Sequence, residues 1–258
     1  MTTWAPGALT PRPDAAPFPR MLAAQARAEL TLLLRNGEQI LLTLVIPLGL
    51  LVVLSKASFV TVPTGGDRIG FFVPGVMALA VMSTAFTGQA IGVGFERQYG
   101  VLKRLGATPL PRSVLLGAKT LAVLAVEVVQ LTLIALVGKL LGWHPHGSVL
   151  SVLLLVALGT AAFSGLGLLL GGTLRGLTSL AAANLLWFLL LILGGVLFPL
   201  THFGGTEPVV RLLPTAALAH GLREALQHGA TLPARDLLAL AAWATATLTA
   251  AARWFRWD

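Results

Sequence analysis

The chain contains no cysteine, which excludes disulfides, thiol catalysis and Cys-ligated metal sites. Charge is nearly as scarce. Only 11% of the 258 residues are Asp, Glu, Lys or Arg, and 56% are hydrophobic. An ordinary soluble domain is about 25% charged. Lipid-facing positions carry charge only at high cost, so the deficit predicts an all-α polytopic membrane protein. Catalytic signatures are missing too. There is no G-x-x-x-x-G-K-[ST] loop to hold ATP, no H-E-x-x-H, and no pair of carboxylates in a plausible active site. The five histidines fall in or near predicted loops. His144-Pro-His146 has no acidic or cysteine ligand beside it and reads as a turn rather than a metal site. No metal and no cofactor are expected in this chain.

The net charge is +8, but the basic residues gather at the ends of apolar runs. That is how membrane proteins orient themselves, so nucleic acid is not an expected partner. The first twenty residues hold five prolines and no apolar h-region, so no cleavable signal peptide is expected. Residues 1–17 read as a disordered leader ahead of a single transmembrane domain, 18–258.

A spanning helix needs about 20 mostly apolar residues. Six candidates emerge: Gln39 to Leu54, short and with Pro47 inside it; Phe71 to Gly94; Val114 to Val137; Val149 to Gly171; Leu180 to Leu200; and Leu237 to Ala252. An even number of spans puts both termini on one side. With the termini inside, twelve Lys and Arg fall on the cytoplasmic side and six outside, as the positive-inside rule favours. The expected location is the cell membrane, multi-pass, with both termini cytoplasmic.

Two further segments read as helical without spanning. From Phe18 to Asn36, Arg20, Arg27 and Glu29 are mixed with leucines, which suits a helix lying along the inner interface. A simple extension of the first span is the alternative. From Glu207 to His228 the chain is amphipathic, with Pro208, Arg211, Pro214, Arg223 and Glu224. It is too charged to span and reads as a broken, re-entrant helix pair in the outer half of the membrane. Such backbone needs protein or a water-filled cavity around it.

Inside the spans, Gly167-x-x-x-Gly171 suits close helix packing in lipid. Glu127 is the one acidic residue deep in a span. Its insertion costs about 2.5–3.5 kcal/mol on insertion scales, so it should face the bundle interior, a cavity or a subunit interface. Gln130 lies one turn away and is a candidate hydrogen-bond partner, as are Gln89, Thr160 and Asn184. Glu127, Gln130, Gln89 and Asn184 are therefore candidates for polar contacts on a translocation path. Glu127 can be a contact for a cationic substrate, a proton-sensitive site, or a buried tie between helices. An ion-coupled secondary transporter using Glu127 is the alternative function.

The most informative segment joins the second and third apolar stretches. Between Phe95 and Val114, charged Glu96, Arg97, Lys103, Arg104 and Arg112 surround apolar Val101, Leu102 and Leu105, with Tyr99 and Gly100 among them. Gly106 and then Thr108-Pro109-Leu110-Pro111 stop a helix. The pattern predicts a short amphipathic helix at the inner surface that docks a partner, within about 95–113. A plain cytoplasmic loop is the alternative.

At Glu96-x-x-x-Gly100-x-Leu102-x-x-Leu105-x-x-Thr108-Pro109-Leu110-x-Arg112 the chain resembles ABC-type-2 exporter permeases. The resemblance extends over most of the chain, including Pro208-x-x-Arg211-x-Leu213-Pro214 and Leu218-x-x-x-Leu222-Arg223. The nearest subgroup is the daunorubicin-resistance type. The resemblance implies that the loop is a coupling helix seated in a groove of a separate ABC ATPase subunit, which holds ATP and Mg. It also implies a second permease copy or homologous permease as partner, membrane lipid around both, and export of amphipathic drugs, lipids or hydrophobic natural products.

Overall fold

The computed structural model describes residues 16–56, 68–227 and 232–256, with the side chains of residues 38, 39 and 42 outside that description. Most of the expected leader and His228 also lie outside it. Among the described residues all regular structure is helical.

The order begins with α1, Phe18–Arg35, a helix in its own right rather than part of the next one. Asn36 separates it from α2, Gly37–Lys56. The long helix α3, Arg68–Gln98, carries a π-helical stretch, Met82–Gly88, at its middle. The short α4, Val101–Gly106, leads to α5, Arg112–Leu140. Then come α6, Val149–Thr173, and α7, Gly176–Leu193. A 3-10 turn over Leu200–Thr206 runs into the single-turn α8, Glu207–Val210. Finally α9, Pro214–Gln227, precedes α10, Ala234–Trp254.

Four of these helices, α3, α5, α6 and α7, are long and apolar enough to cross a membrane. The apolar part of α2, Thr43–Lys56, is shorter. In α10 the apolar run is interrupted by Arg235 and Asp236 at one end and Arg253 at the other. The expected fifth span ends at Leu193, not Leu200. Gly194 and Gly195 follow, and Gly195 turns the chain with a φ of +64°, a conformation that strongly favours glycine.

The core is built around α3, whose first half is almost wholly buried. It packs against α2, α5, α6 and α9, while its second half lies on α6 and α7. Small residues allow that approach. A Cβ at Gly167 would stand 2.6 Å from the Phe86 carbonyl oxygen, and one at Gly171 would stand 2.7 Å from that of Ala90. The Gly167-x-x-x-Gly171 pattern thus brings α6 against the backbone of α3. The other side of α6 carries α10, where Gly165 faces Thr247.

Proline inside a helix leaves a carbonyl one turn back without its N–H donor. Pro47 does this to Thr43, yet α2 continues unbroken. Gln130 of α5 donates from Nε2 to the Thr43 carbonyl at 2.7 Å and accepts from Thr84 of the π stretch at 3.1 Å. One amide therefore satisfies the proline defect and ties three helices.

Candidate functional site

The segment between α3 and α5 is shaped by its own local chemistry. Gly100 has a φ of +72° and turns the chain sharply out of α3. Any residue with a Cβ would be strained there. After one and a half turns α4 stops. The Thr108 hydroxyl donates to the Leu105 carbonyl at 2.6 Å, and Pro109 and Pro111 exclude further helix before α5. Leu102 is the anchor, fully buried in an apolar cluster with Val93, Leu115, Leu116, Leu168 and Phe255. Leu105 packs partly against the same cluster. Tyr99, Lys103, Arg104, Thr108, Pro109 and Arg112 remain exposed. A rigid, basic and aromatic knob results, held by one leucine.

Arg97 and Glu96 depart from the expected docking surface. Arg97 is buried and donates to the carbonyls of Gly172 and Leu174 at 3.3 and 3.5 Å. These are among the C-terminal carbonyls of α6, which have no helical donor of their own and attract a cation. Ser179 adds a bond to the Ala90 carbonyl at 2.7 Å, so the α6–α7 turn is pinned to the end of α3. Arg97 thus lies buried at the base of the knob, bonded to the end of α6.

Glu96 accepts from the Lys119 ammonium at 2.7 Å, and Glu29 of α1 accepts from the same ammonium at 2.9 Å. Lys119 is only 6% exposed. Two carboxylates around one ammonium thus strap α1 to α3 and α5. The sequence places Glu29 on the interfacial helix without joining it to Lys119. The signal was a charge two turns inside a span, which needs an opposite charge within reach.

The four polar candidates within the spans separate. Glu127 is fully buried and accepts a hydrogen bond from Thr160 of α6, not from Gln130. Gln130 turns the other way, to Thr43 and Thr84, because the proline-freed carbonyl competes for its amide. Gln89 donates to Ser164 at 2.7 Å. Asn184 is exposed on the outer face of α7. These residues do not form one polar path within the chain.

The segment from Glu207 onward forms two short helices, α8 and α9, parted at Arg211–Leu213, with Pro214 opening α9. Pro208 stands at the start of α8 and is exposed. Arg223 is buried and donates to the carbonyls of Phe71, Gly195 and Val196, between 2.8 and 3.3 Å, with its guanidinium 3.9 Å from the Phe71 ring centre. It closes the turn after α7 against the start of α3. Arg211 donates to His220 Nε2 at 2.8 Å, and His220 Nδ1 lies 2.9 Å from Asp236, which fits the Nδ1–H tautomer. His220 therefore belongs to helix α9 rather than a loop, and with Asp236 it links α9 to α10. His144 and His146 sit in an exposed turn.

Comparison with known proteins identifies the family. Residues 22–226 match the model of the family described as ABC-2 type transporter. The chain is also 25% identical over 187 residues to the Bacillus subtilis (strain 168) protein named "Putative transport permease YvfS", covering 69% of this chain and 74% of that protein. With the family model spanning α1 to the last turn of α9, the chain belongs to the ABC-2 type transporter family and is a membrane permease of that kind.

Proposed function

We propose that this chain is the permease subunit of an ATP-driven exporter of amphipathic drugs, lipids or hydrophobic natural products, powered by a separate ABC ATPase subunit. The observation that carries this is the knob around α4. It presents Tyr99, Lys103, Arg104 and Thr108 outward on a short helix whose Leu102 is locked into the core. A push on such an element is transmitted to α3, α5 and α6 rather than absorbed. The sequence has no phosphate loop of its own, so the energy source docks from outside. In this reading α2 and α10 complete six spans, both termini are cytoplasmic, and the helices α8 and α9 dip into the outer half of the membrane. A second permease copy or homologue, with membrane lipid, covers exposed apolar residues such as Leu41, Val45, Leu185 and Phe188. The daunorubicin-resistance type remains the nearest subgroup. Glu127 lines neither the cavity between α1, α3 and α5 nor the one between α1, α2 and α5, which counts against an ion-coupled mechanism through it.

The test is co-purification with a candidate ABC ATPase and substrate-stimulated ATP hydrolysis by the complex. Lys103→Glu with Arg104→Glu should weaken assembly about tenfold, since surface ion pairs are worth up to roughly 1 kcal/mol each. Normal assembly and turnover in that variant would show that α4 is not the dock. Transport that survives ATP depletion and collapses with the ion gradient would overturn the ATP-driven reading.

A further inference from the structure

A cleft of about 360 Å³ lies beside the coupling segment, enclosed by α1, α3 and α5. Its polar wall includes Glu29, Gln89, Glu96 and Lys119. Two carboxylates face one ammonium there, leaving one formal negative charge in excess. Among the described residues of this wall, Oε2 of Glu96 and Oε1 of Gln89 are buried acceptors without a donor. Gln89 is only 6% exposed, and its Nε2 is already committed to Ser164. A buried acceptor without a donor costs about 1–3 kcal/mol. The stacked rings of Phe95 and Tyr99, 6.0 Å apart, flank the same cleft.

A second cavity of about 210 Å³ adjoins it between α1, α2 and α5 and shares Leu33 and Thr84 with it. Its walls are almost wholly apolar, with Leu30, Leu44, Val126 and Val129. One end of the combined space thus holds two unpaired acceptors and one carboxylate more than its single ammonium, and the other is lined almost wholly by apolar surface.

We infer that this paired cleft binds a cationic amphiphile, its ammonium on Glu96 and Gln89 and its alkyl chain among Leu33, Leu44 and Val126. An ammonium supplies the missing donors and cancels the excess charge. An anionic head meets two carboxylates, and a neutral alcohol offers one donor and no charge. The site lies within one subunit and against the coupling segment, so an occupant touches the element that the ATPase moves. Its place in a transport path rests on the permease reading above, whereas binding does not.

The experiment is equilibrium binding of radiolabelled dodecylamine to the full chain in phosphatidylcholine nanodiscs without any ATPase, corrected for empty discs. Dodecanol and dodecyl sulfate serve as competitors. Dodecylamine should bind saturably, and neither competitor should displace it at equal concentration. Glu96→Gln should weaken it about tenfold, the loss of one charge-assisted contact. Because Glu96→Gln also touches the Lys119 strap, Val126→Trp is the second variant. It fills the apolar end and should weaken dodecylamine while leaving butylamine unchanged. Equal displacement by dodecanol, or full dodecylamine affinity in both variants, overturns the inference. Displacement on changing the disc lipid to phosphatidylethanolamine assigns the ammonium site to a lipid headgroup, and its absence assigns the site to a free amphiphile. Saturable amine binding without ATP-dependent export keeps the cleft and removes the exporter reading. ATP-dependent export without amine binding does the reverse.

Discussion

Arg223 shows how much one side chain can hold in a chain this poor in charge. Its planar fork reaches three carbonyls from two places and lies over the Phe71 ring. A lysine ammonium is a point charge on a flexible stem and cannot reproduce that fork or the stacking. Arg223→Lys should therefore destabilise the protein by about 1–3 kcal/mol, the cost of leaving a buried acceptor unpaired. The readout is a lowered midpoint of thermal unfolding in detergent or nanodiscs. Glu127 makes the opposite point. It is buried between α5 and α6, bonded to Thr160, and lines neither the cleft beside Lys119 nor the apolar cavity next to it. A glutamine retains an oxygen for that hydroxyl, so Glu127→Gln should leave transport and its pH profile unchanged. A transport assay showing loss for cationic substrates alone would restore Glu127 to the path.

Among the elements, α3 is the one on which the others converge. Its π stretch sits where Thr84 meets Gln130, Ser83 accepts from Trp187 at 3.0 Å, and Gln89 meets Ser164. π-helical turns inside α-helices are often placed at functional sites, and this one borders both cavities through Thr84. The second half of α3 can lie on α6 only because Gly167 and Gly171 have no side chain. Gly171→Leu would drive a branched side chain into the Ala90 carbonyl and the Val93 side chain. Overpacking of this kind costs about 1–3 kcal/mol, and more where backbone must move. The expected outcome is a loss of folded protein in size-exclusion profiles. Gly171→Ala should be milder, because one methyl group asks for a smaller shift.

At the scale of the whole molecule, the strap of Glu29, Lys119 and Glu96 joins the first helix to α3 and α5 across more than sixty residues of sequence. Removing one partner of a buried ion pair costs about 3–5 kcal/mol, whereas removing all the charges together costs far less. Lys119→Met should therefore free α1 and speed tryptic cleavage at exposed Arg27. Adding Glu29→Gln and Glu96→Gln should slow it again. Cleavage that is equally fast in the triple variant would mean that apolar packing, not the ion strap, holds α1. Much of this molecule was legible in the sequence. Long apolar runs dictate membrane helices, because lipid leaves the backbone few other ways to satisfy its hydrogen bonds. Gly100, Thr108 and the two prolines after it fix the elbow, because their effects act through their own backbone. Pro214 and the charges around it mark the break before α9 for the same reason. What the sequence could not reveal is which distant polar groups meet. Gln130 was as close in sequence to Glu127 as any partner, yet the Thr43 carbonyl that Pro47 leaves free on another helix takes its amide. Arg97 reads as a surface charge until the end of α6 arrives to accept its hydrogen bonds. Local chemistry determined the elements and their ends. Only the packed bundle decided which charges were buried, because a buried polar group is satisfied by whatever the other helices bring to it.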